Sequence, residues 1–397
     1  MKNDYIIFLI ICILFSGCNS HTKHVAEDAM EFHTIDFEKS FETEKQMLIS
    51  EIADTVEYLE LKTPEDIIIT RIYQLKQFED NLIVISRGAV YLFCRNGQFL
   101  RQIGNIGQGP GEYPYAFDVE IDAKKKEIVV TDGMQLLFYN FDGYFLRKQK
   151  LDSEYIINMD ISDSILWSGQ MISSERDKYY AVAYSLNSEC DTIIAHIHNP
   201  HYIEDGNPRG DHVATGEMFY HNNGFLYFKG EMFNNTIWKI SGINAEPYAF
   251  INLGKYKMPL EFEPWNSSIE VFFQHCEKYW CVSSLVEDDN YFYLLSENRK
   301  QSKINSIRKY IVYDKKIKQG FAANDDNGIG ITDDIHGGPP IWPLWTSDEY
   351  YINAIELYEL LEKVESGEYF PSTQLKELIS RIGEDSNQLI VLCRKKK

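Results

Sequence analysis

Basic residues are scarce in this chain. Its 397 residues include 39 Lys and Arg against 60 Asp and Glu, for a formal net charge of −21. Such a surface repels phosphate backbones and anionic lipid headgroups, which argues against nucleic acid as a partner and against purely electrostatic adhesion to a membrane. The one basic cluster, Arg394-Lys395-Lys396-Lys397, reads as a solvated tail. Cysteine is thin as well. Of seven, Cys12 and Cys18 lie near the N-terminus, and Cys94, Cys190, Cys276, Cys281 and Cys393 are odd in number with no C-x-x-C spacing. Neither a disulfide framework nor a cysteine zinc site follows from that pattern. Long apolar runs are missing too. The stretch from Tyr5 to Phe15 falls short of the roughly 20 residues that a membrane-spanning helix needs. Finally, the sequence holds no H-E-x-x-H, no nucleophile elbow and no nucleotide-binding glycine pattern. Carboxylates are too abundant for a catalytic pair to be singled out, so catalytic residues stay unassigned.

The N-terminus has the form of an export signal. Lys2 precedes the apolar run, and Ser16-Gly17 follow it before Cys18. An apolar run, two small residues and a cysteine resemble the lipobox of bacterial lipoproteins, here Phe15-Ser16-Gly17-Cys18, with Phe15 where the family usually has Leu. The resemblance implies that residues 1–17 are removed and that Cys18 carries the lipid. Each buried CH₂ contributes about 0.8 kcal/mol, so several acyl chains make a stable anchor. The expected location is outside the inner membrane, lipid-anchored, at the periplasmic or surface leaflet of an outer membrane. Residues 18–34 are polar and aperiodic and read as a tether.

From residue 35 to residue 397 the pattern is one of strands. Aromatic residues make up 14% of the chain, and short runs rich in Ile, Val, Tyr and Phe alternate with Gly, Asn and Asp. Asn81-Leu82-Ile83-Val84-Ile85-Ser86 aligns with Glu127-Ile128-Val129-Val130-Thr131-Asp132, and Asn96-Gly97-Gln98-Phe99-Leu100-Arg101 with Asp142-Gly143-Tyr144-Phe145-Leu146-Arg147, both 46 positions apart. A period of 40–50 residues with several strands per unit marks propeller blades. Looser units built on residues 165–184, 225–240, 291–313 and 350–392 bring the expected count to six. The expected fold is an all-β, six-bladed β-propeller with a short helical insertion near its C-terminus. One helix is expected over 354–365 and another begins after Ser372. The strand Val56 to Leu61 lacks a repeat partner and is expected to close the ring against the C-terminal unit.

Two segments carry a resemblance to a family. Gly104-Asn105-Ile106-Gly107-Gln108-Gly109-Pro110-Gly111-Glu112-Tyr113 is similar to the G-x-G-P-G-E-[YF] loop of bacterial six-bladed β-propeller lipoproteins related to NHL-repeat propellers. Asp333-Asp334-Ile335-His336-Gly337-Gly338-Pro339-Pro340-Ile341-Trp342-Pro343 resembles a second segment of the same family. What the resemblance implies is chiefly the fold. The glycines suit a sharp structural bend between blades, so Gly104, Gly107, Gly109, Pro110, Gly111, Glu112 and Tyr113 are read as a structural loop, with an anion nest as the alternative.

The ligand-binding candidates are Asp333, Asp334, His336 and Trp342, because carboxylates, an imidazole and a Trp between prolines sit together. A metal-ligand alternative is His196, His198 and His201, since two histidines two apart on a strand share a face. Asp205, Asp211, His212, Glu217 and His221 follow them. No cofactor is expected outright, with calcium at the aspartates or zinc at the histidines as alternatives. The reading is a monomeric, non-catalytic binding module of the bacterial cell envelope, its ligand a glycan, a peptide or an envelope protein on the central face. The alternative is a metal-dependent lyase or hydrolase built on the propeller channel.

Overall fold

The computed structural model describes residues 31–150, 155–187, 192–206, 218–230, 233–264, 266–298, 307–325, 328–382 and 387–396. Cys18, the proposed signal and Cys190 therefore lie outside the described residues. Why the chain forms strands is visible in burial. Asn81–Ser86, Glu127–Thr131 and Tyr179–Ser185 are buried along nearly their whole length. A strand covered on both faces reads as a continuous apolar run, not an alternating one.

These runs are the middle strands of six antiparallel four-stranded blades. Blade 1 comprises Gln74–Phe78, Asn81–Ser86, Ala89–Cys94 and Phe99–Ile103, and blade 2 comprises Asp118–Asp122, Glu127–Thr131, Gln135–Asn140 and Phe145–Lys150. Blade 3 is Asn158–Ser162, Ile165–Gly169, Tyr179–Ser185 and Ile193–His198; blade 4 is Phe219–Asn222, Phe225–Phe228, Thr236–Ser241 and Asn244–Asn252. Blade 5 is Cys281–Glu287, Tyr291–Asn298, Ile307–Asp314 and Gln319–Asp325. Blade 6 takes Trp345–Thr346, Tyr350–Ile355 and Leu389–Lys395 from the C-terminal region and its fourth strand, Ala53–Glu60, from the N-terminal region. That pairing closes the ring, as expected from the unpartnered Val56–Leu61 stretch. The 46-residue repeat corresponds to blades 1 and 2, and Gly97 and Gly143, in the turns between their last two strands, have φ of +83° and +81°.

The propeller has two distinct ends. On one, hairpins join the first strand of each blade to its second and, in blades 1, 2, 4 and 5, the third to the fourth; we call this the hairpin face. On the other lie the connections from blade to blade, the crossover face. Apolar cores sit between adjacent blades. Ile83, Val90 and Ile103 meet Val119, Ile128 and Tyr139 between blades 1 and 2, and Leu75, Leu82 and Phe93 meet Trp345, Ile352 and Ile390 between blades 1 and 6.

The N-terminal segment adds a belt. Strand β1 (His33–Asp36) pairs in parallel with the outer strand of blade 4, and β2 (Glu44–Lys45) pairs in parallel with the outer strand of blade 5. Strand β3 (Ala53–Glu60) is the fourth strand of blade 6. The compact unit begins at Phe32, so His33 and Thr34, expected in the tether, belong to the fold. Because β1 runs with Asn244–Asn252, it starts at the hairpin face.

The helical insertion lies where expected, with one change of boundary. The first helix is Leu357–Glu365, since Ile355 still belongs to a strand paired with Leu389. Ser372 caps the second, Thr373–Arg381, by accepting from the Leu375 N–H at 3.3 Å. Among the described residues, no helix is long and apolar enough to cross a membrane.

Candidate functional site

The 333–343 segment is a clamp that the protein fills with its own groups. Asp333 is 3% exposed, and its carboxylate accepts from Tyr58 OH (2.6 Å) and from the N–H groups of Ile335, His336 and Gly338. Asp334 accepts from both the N–H (3.0 Å) and the hydroxyl (2.6 Å) of Ser50. The two ring nitrogens of His336 lie 2.9 Å from the Ser372 hydroxyl and 2.9 Å from the Val56 carbonyl. Trp342 is 4% exposed and packs on Tyr310 and Tyr293, with ring centroids 4.6 and 5.9 Å away. The four residues expected to meet a ligand are thus brought together, with their polar groups bonded to β3, the N-terminal belt, the cap of the second C-terminal helix and the segment's own backbone, and the indole packed on two rings of blade 5. In this arrangement the segment ties blades 5 and 6 together.

The glycine loop is closed on a carboxylate of its own. Gly109 N–H donates to the Glu112 carboxylate at 2.8 Å, and Glu112 N–H donates back to the Gly109 carbonyl at 3.0 Å. A Cβ on Gly107 would stand 2.1 Å from the same carboxylate. Tyr113, fully buried, donates its hydroxyl to the Ile103 carbonyl at 2.6 Å. Gly104 and Gly111 have φ of +62° and +74°, and Tyr139 OH reaches the Gly111 carbonyl at 3.1 Å. Pro110 is the second residue of the turn that the Glu112 N–H closes on the Gly109 carbonyl.

His196 and His198 lie on the outermost strand of blade 3, exposed, and both face Tyr179, at 4.4 and 6.2 Å between ring centroids. His201, also exposed, follows in the turn, its N–H on the Asn199 side chain. Asp211, His212 and Glu217 lie outside the described residues. Among the described residues, no three His, Cys, Asp or Glu side chains are grouped so as to hold a metal ion. His196 and His198 therefore meet aromatic rings on the rim, and His201 is held by its backbone in the turn beside them.

The channel holds a group that the sequence did not isolate. Lys76, Glu120, Asp160 and His221 are the third residues of the inner strands of blades 1, 2, 3 and 4. Lys76 pairs with Glu120, and Asp160 holds the Nε2 of His221 at 2.8 Å. The result is a line of cation, carboxylate, carboxylate and cation from one blade to the next. Burial pushes the Glu120 carboxyl above its ordinary range; Lys76 opposes that shift, while Asp160 and Asp118 add to it. The Asp160 carboxylate raises the His221 imidazole to about 9, against the opposing effect of burial. One turn nearer the crossover face, Trp345 Nε1–H donates to Gln74 (3.1 Å), and Gln74 donates to Asp118 (2.9 Å). Asp118 also accepts the Met159 N–H at 2.8 Å, and Asn158 accepts the Met218 N–H at 3.0 Å. These ties link the inner strands of blades 6, 1, 2, 3 and 4 in turn.

Just above them, the crossover face carries an arc of exposed rings. In blade 2, the Ala116 N–H donates to the Gly88 carbonyl and the Phe117 N–H to the Thr131 carbonyl, both at 2.9 Å. Blade 3 repeats the first bond between Ile156 and Gly133, and blade 1 repeats the second between Tyr73 and Ile85, again at 2.9 Å. The residue three before the inner strand is thereby laid on the turn glycine of the preceding blade. A Cβ on Gly88 would come within 2.3 Å of the Tyr115 ring, and one on Gly133 within 2.9 Å of the Tyr155 ring. Tyr115 and Phe117 have centroids 5.0 Å apart, Phe117 and Tyr155 5.5 Å. Tyr73 adjoins Tyr115, whose phenol is raised by burial and then by Tyr73, and Arg71 lies over the Tyr73 ring. Tyr73, Tyr115, Phe117 and Tyr155 are 52%, 39%, 38% and 41% exposed. Large rings held in place yet open to water, side by side from three blades, mark a contact surface more than scattered surface hydrophobics do.

Comparison with known proteins agrees on the architecture. A Bacteroides fragilis NCTC 9343 protein classed as exported has a crystal structure that matches with a TM-score of 0.68 at 18% identity, covering 92% of this chain and 100% of that one. The WD40 domain of Neurospora crassa Pan2 reaches a TM-score of 0.39 at 9% identity over 70% of this chain and 74% of its own, a likeness too low to carry weight. No curated protein matches the chain. Residues 32–394 match the family described as "Domain of unknown function (DUF4934)", and the chain belongs to that family.

Proposed function

We propose that this protein is an exported, lipid-anchored, non-catalytic binding module that holds a glycan on the aromatic arc at the crossover-face mouth of its channel. The arc is the observation that carries the reading. Four rings, three of them with successive centroids 5.0 and 5.5 Å apart and positioned by a hydrogen-bond scheme repeated between blades, offer faces on which the C–H side of a saccharide can stack while its hydroxyls stay in water. Support on glycine backbone holds the rings before the ligand arrives, which lowers the ordering cost of binding. The lipobox-like Cys18 and the exported class of the Bacteroides fragilis neighbour support the location.

The test is calorimetric titration of the purified chain with cellohexaose, maltohexaose and a Tyr-rich peptide, for the native protein and for the triple variant Tyr115→Ala, Phe117→Ala, Tyr155→Ala. Saturable oligosaccharide binding weakened tenfold or more, a loss of about 1.4 kcal/mol, is expected. Binding of the peptide alone, or oligosaccharide binding that the triple variant leaves intact, would overturn the reading. For the anchor, Cys18→Ser is expected to move the protein from the membrane fraction to the soluble fraction, and an unchanged distribution would remove lipidation from the account.

A further inference from the structure

The channel wall is acidic in composition but basic where it meets the lumen. Its inner strands contribute Asp118, Glu120, Asp122 and Asp160, all buried. The group that reaches the open space is His221, whose side chain is 46% exposed against 1% for its partner Asp160. Asp160 engages Nε2, and among the described residues no hydrogen bond is made to Nδ1. The carboxylate therefore stands behind the imidazole, where it fixes the ring and keeps it protonated without competing for whatever approaches from the front.

Two acids near His221 already have cations of their own. Glu120 and Lys76 form their own pair, at side-chain exposures of 9% and 18%. On the blade 5 side, Asn222 donates to Glu287, which is paired with Lys315 at 3.1 Å.

We propose that His221, backed by Asp160, is a carboxylate-binding site in the channel: Nδ1–H donates to a carboxylate oxygen of a small organic acid or of an acidic sugar. This inference shares the channel mouth with the glycan reading only when the carboxylate arrives on a sugar. A free carboxylate would bind without the arc, so the two can fail separately. A charge-assisted bond of this kind is shorter and about twice as strong as a neutral one, and the imidazolium state it needs is held up to about pH 9 by the same Asp160.

The experiment is nitrogen-15 NMR of the histidine rings of the full chain, which has ten histidines. The His221 signals are those lost in His221→Gln. Near neutral pH and at constant ionic strength, sodium acetate, sodium glucuronate and glucose are titrated in turn. Shifts at His221 with acetate, or with glucuronate alone, support the site, the second pattern placing the carboxylate on a ring. Glucose should leave His221 unmoved. If neither carboxylate shifts His221, the proposal falls, even if oligosaccharides still perturb Tyr155. Asp160→Asn, close to isosteric, supplies a second readout. It should lower the His221 titration midpoint from about 9 toward the ordinary 6.5 and weaken carboxylate binding near neutral pH by about tenfold. A midpoint that does not move would overturn the role given to Asp160.

Discussion

Blades 4 to 6 and blades 1 to 3 are built on the same unit but finished differently. The N-terminal belt covers the outer strands of blades 4 and 5 with β1 and β2 and completes blade 6 with β3, and the 333–343 clamp is buttressed by that belt. Blades 1 to 3 end on Phe99–Ile103, Phe145–Lys150 and Ile193–His198, with no further strand paired to them among the described residues. Their protection is in the side chains: Phe145–Lys150 alternates exposed Lys148 and Lys150 along the edge, which discourages pairing with another chain. The aromatic arc belongs to this second half. One half of the ring spends its polar and aromatic residues on closure, and the other keeps its rings open.

That division can be broken or sharpened by mutation. The largest effect is expected from Trp342→Ala in the belted half. Removing a buried indole costs about 3–5 kcal/mol, seen as a lower urea midpoint, with oligosaccharide affinity retained in the folded fraction. Gly97→Ala comes next. Gly97 has φ of +83° and an added Cβ would lie 2.1 Å from the Glu60 carbonyl, beside the ring closure. A cost of about 1–3 kcal/mol is expected from strain of this kind, again by urea unfolding. Single Ala substitutions at Tyr115, Phe117 and Tyr155 should each cost less than about 1 kcal/mol of stability while lowering ligand affinity. If they unfold the protein, or if Trp342→Ala abolishes binding in the folded fraction, the two halves are not distinct in role.

The smallest effect concerns pH. His221 has a higher pKa in the folded chain, about 9 against an ordinary 6.5, and so binds its proton more tightly there. Its contribution to stability is full below about pH 6.5 and is lost as pH rises through about 9. A thermal midpoint that falls across this window in the native protein, and falls less in Asp160→Asn, is the expected result.

Much of the fold was legible because middle strands, buried on both faces, repeat as apolar runs. Blades 1 and 2 showed this best, and β3 stood out as a strand without a partner. The site was harder to see. Tyr115 and Tyr155 occupy equivalent places but are 40 positions apart, not 46, because the connection before blade 2 carries the longer glycine loop. The strand repeat therefore does not align them; counting back from the inner strands, Asp118 and Asn158, would have. Asp333 and His336 looked available because their partners are remote, Tyr58 lying 275 positions away and Val56 280. His221 was grouped with the rim histidines by proximity in sequence, although an inner strand carries it to the channel and an outer strand carries His196 and His198 to the rim.

The direction of β1 has a mechanical consequence. Since it enters at the hairpin face and runs parallel to its neighbour over His33–Asp36, a pull on the N-terminus along the strand loads its register in shear, with the bonds strained together instead of opening one by one. Behind it, β2 and its contacts must also give way before tension reaches β3 and the closure of the ring. A propeller dragged by its leading end would thus shed the belt in stages, and the open mouth on the opposite face would be among the last parts to feel the force.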